Sequence, residues 1–248
     1  MTLLLLLGCF LVAFGPALAL FLVFISKNGQ LVILMLGSSF FWLLSIFLAS
    51  LVWYIFASMR THLLFILPFA VLFQEAMRWV FHKVYIRAEK GLTRESGGGA
   101  NPFSFDYFSA SLAIGLGFGV CQATIMYGTI LTEAGGPGSL YTPACPHVSL
   151  FILSAVLALA SIAMHVFLTI IAFDTFKTMA WRPFLFKCGI IVGGHLVISL
   201  MTLLNQEGGN CLASMVVIYV VLALIGAFAL WLSFTSVHLL KRSAATNR

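Results

Sequence analysis

Seven long apolar runs dominate this chain, at about 3–25, 31–58, 63–86, 105–131, 148–176, 183–205 and 212–238. A helix needs about 20 predominantly apolar residues to cross the hydrocarbon core of a bilayer, and each run reaches that length. In hydrocarbon the backbone must satisfy its own hydrogen bonds, so such runs can only be helices. The sequence therefore predicts an all-α polytopic membrane protein, a seven-transmembrane-helix bundle forming a single domain over 1–248. Composition closes the other routes. With 62% apolar and 8% charged residues, the chain cannot cover a water-soluble surface or stay disordered. It also makes no basic patch of the kind a soluble nucleic-acid binder needs. The breaks between runs carry charge or turn signals, among them Lys27-Asn28-Gly29, Arg60-Thr61-His62 and Gly135-Gly136-Pro137-Gly138.

The basic residues give the expected orientation. Of thirteen Lys and Arg, eleven fall in loops 1, 3 and 5, their span ends, or the tail: Lys27, Lys83, Arg87, Lys90, Arg94, Lys177, Arg182, Lys187, Lys241, Arg242 and Arg248. Loops 2, 4 and 6 hold only Arg60, and Arg78 lies inside the third run. Cytosolic loops carry the excess of Lys and Arg. The expected arrangement is a lumenal or extracellular N-terminus and a cytosolic C-terminus, as an odd number of spans requires. Ala17-Leu18-Ala19 resembles a signal-peptidase site, but no positive charge precedes it and the apolar run continues to Ile25, so the first helix is expected to remain. Pro16 is expected to kink it.

The five cysteines show no CxxC or metal spacing. Cys145 and Cys211 fall on the expected lumenal side, where a disulfide is permitted; two independent thiols are equally compatible with the sequence. The lumenal loops hold no N-glycosylation sequon.

Ionisable groups at membrane depth are expensive and mark functional candidates. Glu75 sits near the middle of the third run, flanked by Gln74, with Arg78 three residues on. That spacing puts Glu75 and Arg78 on one helical face. It favours a self-neutralised pair fixing a helix contact over a carboxylate turned into a polar cavity. His165 and His195 lie near the middles of the fifth and sixth runs, at matching depth on successive antiparallel helices. They could bond each other, share Glu75, bind a metal or accept a partner's polar group. Gln122 in the fourth run can join that intramembrane polar network. Gly115 and Gly119, extended by Ala123, form a small-residue stripe where another helix can approach closely, either within the chain or from a partner. His62, His82, His147 and His238 sit at run ends or loops and are expected to be solvated. Asp174 with Lys177 is expected to pair at the surface, and Asp106 suits a helix N-terminus.

Taken together, GCFLVAFGPALAL, FFWLLSIFLASLVW, QEAMRWVFHKVYIRAEKGL, GLGFG, MHVF and GGHL resemble, in order, the Aph (anterior pharynx defective) family of γ-secretase subunits. The resemblance runs from about residue 8 into the seventh span. It implies a seven-span, non-catalytic scaffold without a cofactor that assembles with presenilin, nicastrin and the presenilin enhancer among membrane lipids. Such a complex processes type I membrane proteins such as Notch and amyloid precursor protein, in the endoplasmic reticulum, Golgi and plasma membrane. The family's glycine stripe maps to Gly115 and Gly119, with Ala123 where the family has a third glycine. Its paired intramembrane histidines map to His165 and His195. The segment after Asp174 is less basic, and the tail shorter, than in the family.

The chain has no GxGD, HExxH or GxSxG motif and no second mid-membrane aspartate to share a proton. The alternative enzymatic reading is an intramembrane metalloprotease-like site with Glu75 as a base beside His165 and His195, which together resemble a reduced version of the glutamate–histidine site of CAAX prenyl proteases. Gln74 replaces one of that site's paired glutamates, and Arg78 can neutralise the other, which weakens water activation. A transporter would show repeated halves or helices broken at the midplane. Neither is visible.

Overall fold

The structure, a computed structural model, describes residues 3–56, 62–95, 107–133, 136, 138, 140–177, 180–206 and 208–246, without the side chains at 92, 93, 95, 131, 177 and 236–246. Seven helices account for nearly all of it. They are α1 (Leu3–Leu20, continued by a π-helical turn, Phe21–Ile25), α2 (Gly29–Ile55), α3 (Leu63–Glu95), α4 (Tyr107–Glu133), α5 (Leu150–Lys177), α6 (Trp181–Met201, continued by a 3-10 turn, Thr202–Asn205) and α7 (Cys211–Thr246). All seven are long and apolar enough to cross a membrane.

Local chemistry explains several boundaries. Asn28 caps α2 by accepting the Gln30 N–H at 3.2 Å, and Asn210 caps α7 by accepting that of Ala213 at 3.1 Å. Pro16 lies within α1. The helix carries on past it, and the ladder widens only at the π turn, where Ser26 N donates to Phe21 O at 2.8 Å.

α5 is the axis of the bundle, with most of its membrane-crossing stretch buried. It packs on α1, α4, α6 and α7 and touches α3; α2 packs on both α4 and α3, and α3 in turn packs on α6. The α4–α5 contact is the most extensive in the chain. A second apolar cluster gathers Trp42 of α2, Phe81 and Tyr85 of α3, Ile114 and Phe118 of α4 and Phe173 of α5. Polar ties add to the packing. Tyr219 Oη donates to Val156 O at 2.9 Å, joining α7 to α5. Ser214 Oγ donates to Met201 O at 2.8 Å, joining α7 to the end of α6.

A disulfide joins Cys145, in the α4–α5 connection, to Cys211 at the first turn of α7. The sequence left that pairing open.

One expectation needs correction. α3 runs on past the third apolar run to Glu95, as α7 runs on past the seventh to Thr246. The charges beginning at Lys83 end the hydrophobic run without ending the helix. His82 is consequently inside α3 and buried, not solvated. Its ring packs 4.8 Å from Phe173 and 4.7 Å from Phe176. His62 and His147 are exposed as expected, and the side chain of His238 lies outside the described residues, as do Arg60, Asp106 and Arg248. Asp174 bonds Lys187 of α6 at 2.5 Å; the Lys177 side chain lies outside the described residues.

Candidate functional site

The polar residues singled out in the third to sixth runs converge on one place inside the bundle. Gln74, Glu75 and Arg78 come from α3, Gln122 from α4, His165 from α5 and His195 from α6. Arg78 is 1% exposed and both histidines are fully buried. A charge at such depth persists only when paired and fully hydrogen-bonded.

Arg78 meets that condition completely. Its Nε donates to Glu75 Oε2 at 3.0 Å and its Nη2 to Glu75 Oε1 at 3.2 Å, the two-pronged geometry that guanidinium and carboxylate share. The second Nη2 hydrogen points to His165 Nδ1 at 2.8 Å. Nη1 donates to His165 O at 3.0 Å and to Thr169 Oγ1. A guanidinium has five N–H donors, and these five bonds use them all. Its flat face lies over the Phe118 ring, 5.1 Å from the centroid.

The charges and tautomers follow. Arg78 can only donate, so His165 Nδ1 accepts and the ring proton of His165 sits on Nε2. Nε2 then donates to Gln122 Oε1 at 2.5 Å. That same oxygen accepts from Trp42 Nε1 at 3.2 Å, and the indole N–H is shared with Gln74 Oε1 at 3.3 Å. On the other flank, His195 Nδ1 donates to Glu75 Oε1 at 2.6 Å. The two imidazoles touch edge to face, with ring centroids 5.1 Å apart. One continuous network thus joins α2, α3, α4, α5 and α6.

The far nitrogen of His195, Nε2, is buried and meets no hydrogen-bonding group of the chain among the described residues. His195 borders a cavity of about 130 Å³ lined also by Trp42, Gln74, Gln122, Ser161 and Ser199. Glu75 borders a separate, mostly apolar groove with Trp79, Phe184 and Cys188.

The small-residue stripe serves α4–α5 packing. A Cβ on Gly115 would stand 2.7 Å from Val166 Cα, and one on Gly119 2.7 Å from Ile162 Cα. Ala123, one turn further, is fully buried. Gly117 faces the opposite way, against Met35 and Ser38 of α2, where Ser39 Oγ donates to Gly117 O at 3.0 Å. α4 is therefore seated closely between two helices, and it is this seating that brings Gln122 level with His165.

Metal ligation needs a free lone pair. Both ring nitrogens of His165 are engaged and both Glu75 oxygens accept from Arg78, so that of the four imidazole nitrogens here only His195 Nε2 has no hydrogen-bond partner among the described residues. Among the described residues no three His, Cys, Asp or Glu side chains converge as a ligand set. Trp42 and Thr169 were not singled out from the sequence. Thr169 carries a faint signal, one helical turn after His165; Trp42 carries none that separates it from the chain's other tryptophans.

Comparison with known proteins points the same way as the motifs. A family profile described as Aph-1 protein matches residues 4–236. The γ-secretase subunit APH1-like of Arabidopsis thaliana is 33% identical over 225 residues, covering 88% of each chain. The γ-secretase subunit Aph-1 of Drosophila melanogaster is 33% identical over 81% of each chain. The γ-secretase subunit Aph-1b of Danio rerio is 31% identical over 90% of this chain and 86% of its own. The helices, the buried network and the glycine-seated α4 are thus those of a chain that belongs to the Aph-1 protein family.

Proposed function

We propose that this chain is the Aph-1 subunit of a γ-secretase complex and acts in it as a non-catalytic scaffold. Its partners on this reading are presenilin, nicastrin and the presenilin enhancer, in membranes of the endoplasmic reticulum, Golgi and cell surface. Relatives named as γ-secretase subunits and matching over most of both chains support the complex.

The observation that carries the scaffold role is the saturation of Arg78. A general base for water needs a carboxylate with a free lone pair at the reacting position. Glu75 instead spends its charge on a guanidinium and an imidazole within its own chain. The groups that could do chemistry hold five helices in register. That same consumption weighs against the glutamate–histidine protease reading.

The orientation with a lumenal N-terminus accords with the Cys145–Cys211 disulfide. It joins the two loops that the basic-residue asymmetry puts outside the cytosol, the side where disulfides persist.

Affinity purification from native membranes in mild detergent tests the assignment. Presenilin, nicastrin and the presenilin enhancer are expected to co-purify in constant ratio. Recovery of the intact chain alone, with peptide cleavage by that isolated chain, would contradict it.

A further inference from the structure

The extension of α3 past the hydrophobic run carries a feature that the scaffold role does not use. Lys83, Arg87, Lys90 and Arg94 recur at intervals of four, three and four along α3, and all four are exposed. At about 100° per residue they fall within roughly 60° of one another, a single stripe. The register puts the acidic positions 89 and 95 each at least about 80° away. The stripe points away from the bundle, since Arg78, Phe81, His82 and Tyr85 on the other side of α3 are buried.

Its placement relative to the bilayer is informative. Leu63 to His82 is about 30 Å of helix, the thickness of the hydrocarbon core. Trp79 is half exposed at the end of that stretch, on the side of the stripe, with Lys83 Nζ 5.2 Å from its ring centroid. Tryptophan at a span end marks the headgroup level. From Lys83 to Arg94 the helix then rises about 16 Å. The headgroup layer is only about 5–8 Å deep on each side. Lys83 and Arg87 therefore stand among the glycerophosphates, and Lys90 and Arg94 stand above them.

A column of four cations that starts in the headgroup layer and continues beyond it matches a tall, multiply phosphorylated headgroup. Basic clusters immediately beside a span attract anionic lipids generally. A serine headgroup is too short to meet the upper pair, whereas the ring phosphates of a phosphoinositide project outward from the membrane. Arginine adds forked, two-bond recognition of phosphate at positions 87 and 94. We propose that the exposed stripe Lys83–Arg87–Lys90–Arg94 on α3 is a binding site for a polyphosphoinositide lipid of the adjacent leaflet.

The test uses the full chain purified in mild detergent, with binding of short-chain phosphatidylinositol 4,5-bisphosphate and short-chain phosphatidylserine measured by native mass spectrometry. Wild type is compared with Lys90→Ala/Arg94→Ala and with all four residues replaced by alanine. A basic residue near a lipid surface contributes about fivefold in binding. The upper double variant is thus expected to bind the phosphoinositide at least about tenfold more weakly, with its weak phosphatidylserine binding unchanged. The double variant alters only residues beyond the hydrocarbon and the bundle contacts, so it remains informative if the fourfold variant does not fold. Equal phosphoinositide affinity in wild type and the double variant would overturn the proposal. So would phosphatidylserine binding as tight as that of the phosphoinositide, since the stripe would then read surface charge alone.

Discussion

Arg78 Nη2 lies 2.8 Å from His165 Nδ1, and that contact fixes the protonation of the ring. A guanidinium has no lone pair to offer, so the imidazole accepts at Nδ1 and carries its single proton on Nε2. On the opposite side His195 presents an N–H from Nδ1 to the Glu75 carboxylate. The two touching histidines therefore hold their protons on different nitrogens. Nitrogen-15 NMR of the histidine-labelled protein should resolve an Nε2–H ring for His165 and an Nδ1-protonated ring for His195. A doubly protonated His165 would break the account of the network.

Removing one charge of the network should be far worse than removing both. Arg78→Met leaves the Glu75 carboxylate buried with His195 as its one remaining partner. Breaking a buried pair in this way typically costs about 3–5 kcal/mol. Replacing both residues, Glu75→Gln with Arg78→Met, should recover much of that loss, because an uncharged pair needs no compensation. Detergent unfolding curves of the three proteins test the ordering. A double variant less stable than Arg78→Met would contradict it.

Gly119 of α4 should differ sharply from Gly193 of α6. A Cβ at Gly119 would stand 2.7 Å from Ile162 Cα and 2.9 Å from Ile162 O, backbone atoms that cannot swing aside. Gly119→Ala should therefore force α4 and α5 apart, at roughly 1–3 kcal/mol for overpacking, and Gly119→Leu more. Gly193, on α6, has nothing within 4 Å of its Cβ position. Gly193→Ala should leave stability and complex yield unchanged. Comparing complex yield for these variants decides whether the stripe acts through close approach.

The disulfide should matter less than its sequence separation of 66 suggests. For a random coil, closing a loop of that size would contribute about 4 kcal/mol. Here the intervening α5 and α6 already form a membrane-anchored pair that brings the two ends together. Cys145→Ser with Cys211→Ser should lower stability by about 1–2 kcal/mol, read from thermal unfolding in detergent. In the wild type neither thiol should react with maleimide until the protein is reduced.

Trp42 is fully buried, and its indole N–H is shared between the Gln74 and Gln122 side-chain oxygens. Trp42→Phe keeps most of the ring and deletes only the donor. The expected loss is about 1–3 kcal/mol, for two amide oxygens left short of a partner. A neutral outcome would mean that the indole contributes volume alone.

How much of this was legible in the sequence depends on the kind of signal. The spans could be read because hydrocarbon demands long apolar runs, and Glu75, Arg78, His165 and His195 stood out because such residues are costly there. Their mutual contacts could not be read, since helix rotation decides whether His165 meets His195 or faces lipid. Gly115, Gly117 and Gly119 marked close approach, but spacing alone does not say that two of them face α5 and one faces α2. Trp42 was invisible because hydropathy treats it like the exposed Trp53, Trp79 and Trp231. His82 was misplaced because Lys83 and Arg87 end a hydrophobic run, whereas an amphipathic helix passes through such charges without stopping.

The most direct test of the scaffold claim is protease turnover per assembled complex in membranes where His165→Ala/His195→Ala replaces the wild-type subunit. The account predicts less complex but unchanged turnover for each complex that forms, because the histidines hold helices and touch no substrate. Complex assembled in wild-type amount with cleavage abolished would contradict it, and would return Glu75, His165 and His195 to the chemistry.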